Sequence, residues 1–109
     1  VHEPLLSAIS AQAILRISEF ISQGLANTFW AFAKVAFASE PLIEAIAAAA
    51  ISRIADFAPQ NLTNTSWACA VLCVFHEPLL NSIAKGFVAK LAAAAPQDLA
   101  NTAWAFAKL

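Results

Sequence analysis

The chain has no methionine, no tyrosine, two glycines and two cysteines, and only 12% of its 109 residues are charged. So little glycine leaves no glycine-rich loop to cradle a phosphate. No Ser/His/Asp or Cys/His arrangement and no set of metal ligands stands at a useful spacing, so the sequence points away from an enzyme and requires no cofactor or metal. Long unbroken apolar runs are missing too. Residues 57–76 carry no aspartate, glutamate, lysine or arginine, but Pro59, Gln60, Asn61, Asn64 and Thr65 interrupt them. The apolar pieces fall well short of the roughly 20 residues that cross a bilayer. Low charge is not disorder here, because 61% of the residues are hydrophobic and are expected to fill buried helices of one domain over 1–109. With no methionine, a start at Val1 just before a repeated segment and an end at Leu109 inside the last expected helix, the chain is expected to be a piece of a longer protein. The missing targeting segment therefore says nothing about compartment. Cys69 and Cys73 are read as small buried apolar fillers, since they replace Phe32 and Ala36 of the first unit, and free thiols fit a reducing compartment.

What is present is one segment written three times at a spacing of 37 residues. Glu3-Pro4-Leu5, Glu40-Pro41-Leu42 and Glu77-Pro78-Leu79 open the units. Asn27-Thr28-x-Trp30, Asn64-Thr65-x-Trp67 and Asn101-Thr102-x-Trp104 mark their second halves. A strict period of this length marks an α-solenoid, in which each unit buries its apolar face by stacking on its neighbours. The expected fold is all-α: three helix-turn-helix units (2–38, 39–75 and 76–109), six antiparallel helices, no strand, and a right-handed superhelical stack.

In the first half of each unit, Leu5, Leu6, Ile9, Ala13, Ile14, Ile17 and Phe20 and their equivalents follow the spacing of an amphipathic helix. Pro4, Pro41 and Pro78 suit its first turn, and the adjoining glutamates favour the positive end of the helix dipole. Ser39 is the expected N-cap of the second unit, with His2 and His76 in its place elsewhere. The first helices should stop near residues 20, 57 and 93, where Pro59 and Pro96 cannot continue them. The second helices should run from about Leu25, Leu62 and Leu99 to about Ala36, Cys73 and the chain end. Trp30, Trp67 and Trp104 are expected as core anchors whose truncation to alanine costs roughly 3–5 kcal/mol. Asn27, Asn64 and Asn101 are expected to bond a neighbouring turn or one another, because a buried amide needs a partner.

Two patterns bear on binding. Arg16, Arg53 and Lys90 occupy one position of the three units, with Lys85 about one turn from the last. Stacked about 8–10 Å apart, they would form a basic line able to follow a phosphate backbone. The alternative is local pairing of Arg16 with Glu19 and of Arg53 with Asp56. Ser7, Glu44 and Asn81 form a varying column off the apolar stripe, which suits either base reading or unconstrained surface. A net charge of −1 is not that of an independent nucleic-acid binder, so affinity for RNA would have to come from a longer array.

The strings Gln23-Gly24-Leu25-Ala26-Asn27-Thr28-Phe29-Trp30-Ala31-Phe32-Ala33-Lys34 and Gln97-Asp98-Leu99-Ala100-Asn101-Thr102-Ala103-Trp104-Ala105-Phe106-Ala107-Lys108 resemble the second helix of the octotricopeptide repeat. The Glu-Pro-Leu opening is similar to the proline-rich start of that repeat's first helix, with one proline, and leucine or isoleucine where tryptophan often stands. In style the chain resembles the repeat arrays found with RAP domains in organellar proteins. This resemblance implies a helical-repeat module that binds single-stranded RNA in a chloroplast or mitochondrion and acts in transcript maturation, stability or translation. By analogy with helical-repeat RNA binders, the inner first helices would carry the base-reading side chains. The rival expectation is a scaffold subunit making protein–protein contacts in a large organellar assembly such as a ribosome or photosynthetic complex. Its support is the low charge and the small residues at 47–50 and 92–95.

Overall fold

The computed structural model describes residues 2–109, which form an all-α fold with no strand among them. Six helices of 13 residues each follow one another: α1 (Glu3–Leu15), α2 (Ser22–Lys34), α3 (Glu40–Ser52), α4 (Pro59–Val71), α5 (Glu77–Ala89) and α6 (Pro96–Lys108). None is long and apolar enough to cross a membrane. Each odd-numbered helix is followed by a short 3-10 turn, at Ile17–Glu19, Ile54–Asp56 and Leu91–Ala93. Thirteen residues make a helix about 20 Å long. The longest of the 41 × 26 × 22 Å dimensions therefore lies across the helices.

Caps fix where these helices begin. Ser39 Oγ accepts the Leu42 amide at 3.5 Å and His76 Nδ1 accepts the Leu79 amide at 3.2 Å, while His2 makes no such bond. The second helices start three residues earlier than the sequence pattern suggests, because Pro59 and Pro96 lie inside them as first residues. A proline there has φ preset and lacks an amide hydrogen that would have had no partner. Asn61 and Asp98, two residues on, accept the amides of Ala58 and Ala95 at 2.9 and 3.0 Å.

The first helices end earlier than 20, 57 and 93. They close at Leu15, Ser52 and Ala89, and the chain turns through the 3-10 segment into two extended residues, Phe20-Ile21, Phe57-Ala58 or Ala94-Ala95. The α-helix breaks at Arg16, Arg53 and Lys90, whose φ near −115 to −121° lies outside the helical range. At the other end, α2 and α4 finish in left-handed residues, Ala36 (φ 55°) and Cys73 (φ 56°). Behind them the Phe37 amide returns to the Phe32 carbonyl at 2.9 Å and the Val74 amide to the Cys69 carbonyl at 2.8 Å. This is the Schellman arrangement, and the Phe32–Phe37 edge-to-face pair at 5.3 Å supplies its apolar clasp.

Cys73 is thus exposed on a left-handed turn and is no core filler, whereas Cys69 is buried, with desolvation pushing its thiol up to about 12. A side chain costs about 1 kcal/mol in the left-handed region that glycine adopts freely. Cys73→Gly should therefore stabilise the fold by about 1 kcal/mol, read as a higher urea midpoint. A lower midpoint would contradict the turn geometry.

Buried residues form one cluster, with Leu25, Phe29, Leu42, Ile46, Phe57, Leu62, Leu79 and Ile83 at its centre. The even-numbered helices pack on each other more intimately than the odd-numbered ones do. Small buried residues permit this approach: Ala26 and Ala33 on α2, and Thr63, Ser66 and Ala70 on α4. Their hydroxyls are satisfied, Thr63 bonding Thr102 of α6 at 2.9 Å and Ser66 Oγ donating to the Thr63 carbonyl at 2.9 Å.

Candidate nucleic-acid interface

The basic column comes together, but its charge is spent on the fold. Arg53 donates to the carbonyls of Phe20 and of Ser18, the latter at 2.7 Å. One unit later, Lys90 donates to the carbonyls of Phe57 and of Ala55, the latter at 2.7 Å. Each cation reaches back to the 3-10 turn of the unit before it and binds carbonyls that the irregular backbone leaves without partners. Arg53 does not pair with Asp56 as the local alternative suggests. Arg16, with no unit before it in this chain, pairs with Glu19 at 3.3 Å in an exposed ion pair. Two of the three members of the expected basic line clasp successive units together.

The varying column is exposed on the first helices at Ser7, Glu44 and Asn81, and Lys85 is exposed on α5. Glu44 lies 3.6 Å from His76 Nε2 of the following unit. These helices are the more widely separated layer, and the second helices the more closely spaced one.

On the second helices the structure departs most from the sequence reading. Trp30 and Trp104 keep 39% and 44% of their surface exposed and Trp67 is half-buried, so none is a fully buried anchor. The core place on α2 belongs to Leu25 and Phe29. At 100° per residue, Trp30 lies about 140° around the helix from Leu25. Asn27 and Asn101 are exposed, Asn64 is half-buried, and the side chains of all three are without a hydrogen bond among the described residues. They make neither the expected ladder nor a bond to a turn.

The three asparagines and three tryptophans nevertheless belong together. Gln23, Asn27, Trp30 and Lys34 follow spacings of four, three and four and fall within about 140–200° of Leu25, on the side of α2 away from the core. Gln60, Asn64, Trp67 and Val71 repeat the stripe on α4, and Gln97, Asn101, Trp104 and Lys108 on α6. The first two stripes meet, with the Trp30 and Trp67 ring centroids 6.0 Å apart and their planes tilted by 36°. The Lys34 ammonium stands 5.4 Å from the Trp30 ring and that of Lys108 stands 5.9 Å from the Trp104 ring. Both are cation–π contacts of exposed groups.

Gln23, Gln60, Gln97, Lys34 and Lys108 are the residues that sequence reasoning passed over. The glutamines carried a signal, a polar residue identical in all three copies at helical spacing from an identical tryptophan, whereas the lysines recur in two copies, with Val71 in the second. Taken together, the face offers a row of aromatic surfaces, two free amides per unit and two lysines. Such a face can stack planar groups and hydrogen-bond their edges, with positive charge at its margin. No group of three or more His, Cys, Asp and Glu residues able to hold a metal occurs among the described residues. No family model, curated protein or solved structure matches this chain.

Proposed function

We propose that this chain is an octotricopeptide-like α-solenoid module, three 37-residue units stacked in register, that binds single-stranded RNA along the tryptophan row of its second helices. The supporting observation is the Gln-Asn-Trp stripe, repeated in all three units, exposed in the first and third and half-buried at Asn64 and Trp67 in the second, although the fold draws no hydrogen bond from its asparagines. A core position repeats because packing demands it; Trp67 packs in part against the core, but the surface that Trp30 and Trp104 leave in water answers no such demand. Base–aromatic stacking is worth about 1–3 kcal/mol per base and tolerates any base, while amides read base edges. The resemblance extends this reading to transcript maturation, stability or translation in a chloroplast or mitochondrion, with the module acting as part of a longer array.

The chain carries its own reporter, since it has no tyrosine and its three tryptophans all lie in the row. Titration with a short unstructured oligoribonucleotide should quench their emission, and an RNA duplex of equal length should not. Among the described residues Lys34 and Lys108 are the cations at the row, so the salt dependence should be shallow. Two single-strand phosphate contacts give a log–log slope of about −1.4. The double variant Trp30→Ala/Trp104→Ala should bind at least tenfold more weakly while keeping its helical circular dichroism. Emission unchanged by RNA at high concentration would end the proposal. A scaffold reading is favoured by the net charge of −1 and would show itself as quenching by a protein partner with none by RNA.

A further inference from the structure

Along the tryptophan row, what stays the same from unit to unit bears on the ligand. Gln23, Gln60 and Gln97 stand at one position of the stripe, and Asn27, Asn64 and Asn101 at the next, about one helical turn before each tryptophan. Only the last position changes, as Lys34, Val71 and Lys108. The varying column of Ser7, Glu44 and Asn81 belongs to the first helices and not to the row. A surface that reads different bases in succession needs different side chains in successive units. This row repeats one set, so the strand that fits it best repeats one base.

The amides select which base. The glutamines, Asn27 and Asn101 are exposed and Asn64 is half-buried, and none of these side chains is hydrogen-bonded among the described residues. Each amide sets an N–H donor beside an oxygen acceptor, and so matches a base edge with an acceptor beside a donor. Adenine has that pair twice: one N6–H beside N1 on its Watson–Crick edge, and the other N6–H beside N7 on its Hoogsteen edge. Cytosine offers N4–H beside N3, and uracil has one N3–H to give, so each meets a single amide. The Hoogsteen edge of guanine, N7 and O6, holds acceptors alone. Stacking on tryptophan tolerates every base and leaves discrimination to these bonds.

The ring spacing keeps those edges accessible. The Trp30 and Trp67 centroids are 6.0 Å apart, whereas a base sandwiched between two rings needs about 7 Å, twice the roughly 3.4 Å of a base step. Bases therefore lie over the row and not between these rings. In each unit both amides precede the tryptophan on one side of the helix, within about 10 Å of rise.

We propose that the row selects runs of adenosine in single-stranded RNA, the glutamine and asparagine of each unit bonding the two edges of one adenine laid on its tryptophan. The inference rests on the RNA-binding reading above and adds the identity of the base.

Tryptophan quenching by oligo(A), oligo(C) and oligo(U) of equal length tests it. Oligo(A) should bind at least tenfold more tightly than either pyrimidine run. An oligomer of 7-deazaadenosine, which keeps the fused ring and N6 but carries C–H in place of N7, should lose most of that advantage. The double variant Asn27→Ala/Asn101→Ala, with unchanged helical circular dichroism, should bring oligo(A) down toward oligo(C) and leave oligo(C), which the glutamines still serve, nearly unaffected. Equal affinity for the three runs, a preference for a pyrimidine, or a 7-deaza oligomer as tight as oligo(A) overturns the selection and leaves single-strand binding standing. A double variant that keeps the full preference overturns it too, since the advantage would then come from purine stacking. Quenching by none of the runs ends the binding reading and this inference with it.

Discussion

Phe57→Ala is expected to cost about 3–5 kcal/mol, while Trp104→Ala, the removal of a larger ring, costs less than about 1.5 kcal/mol. Phe57 is fully buried and is the first of the two extended residues between the 3-10 turn and α4, where its ring joins the common core and its carbonyl receives Lys90. Removing the ring leaves a cavity at a place where the backbone is held by the next unit and cannot collapse freely, which puts the cost at the upper end for large-to-small changes. Trp104 keeps 44% of its surface in water, so its truncation forfeits a partial contact and opens no cavity. Urea unfolding of both variants checks the contrast. Equal losses would mean that the tryptophans serve the core after all, and the exposed row would lose its separate purpose. The same pair separates binding from stability: Trp104→Ala should weaken RNA quenching in a chain that remains folded, an outcome no core residue can give.

The contrast also marks where the sequence was legible. Six helices, their period and their apolar columns could be read directly, because a 37-residue repeat shows each element three times and chance patterns do not recur in phase. Tryptophan orientation could not be read by counting apolar residues, since alanine-rich helices leave almost any face apolar. The usable clue was angular: Leu25, Phe29 and Phe32 already complete a helical stripe, and Trp30 lies off it. That clue is blurred in the other units, where Ser66 and Ala103 stand in place of Phe29. The early end of each first helix was not legible for a different reason. The breaks after Leu15 and Ser52 are supported by bonds between residues 33–35 apart in sequence, of which local propensity carries no record, while the break after Ala89 forms without one. The basic column was visible as a column, but its destination depended on carbonyls exposed by that same break.

Arg53→Met should cost about 2–3 kcal/mol, Arg53→Lys almost nothing, and Arg16→Met less than about 0.5 kcal/mol, although both positions belong to one column. Arg53 bonds two carbonyls of the preceding unit, and hydrogen bonds from a charged donor contribute roughly 1.5–3 kcal/mol. Methionine keeps the length and most of the apolar stem but leaves both acceptors without that donor, so packing and bonding losses are separated. Lysine at 53 reproduces the arrangement that Lys90 adopts one unit later, where a single ammonium reaches the equivalent carbonyls. Arg16 has only an exposed ion pair with Glu19, a contact that water and salt largely cancel. Because the clasp joins one unit to the next, its loss should reduce coupling between units as well as total stability, broadening the denaturant transition. Equal effects at positions 16 and 53 would show that the column acts through its charge alone, and would return it to the phosphate-facing role from which the carbonyl bonds remove it.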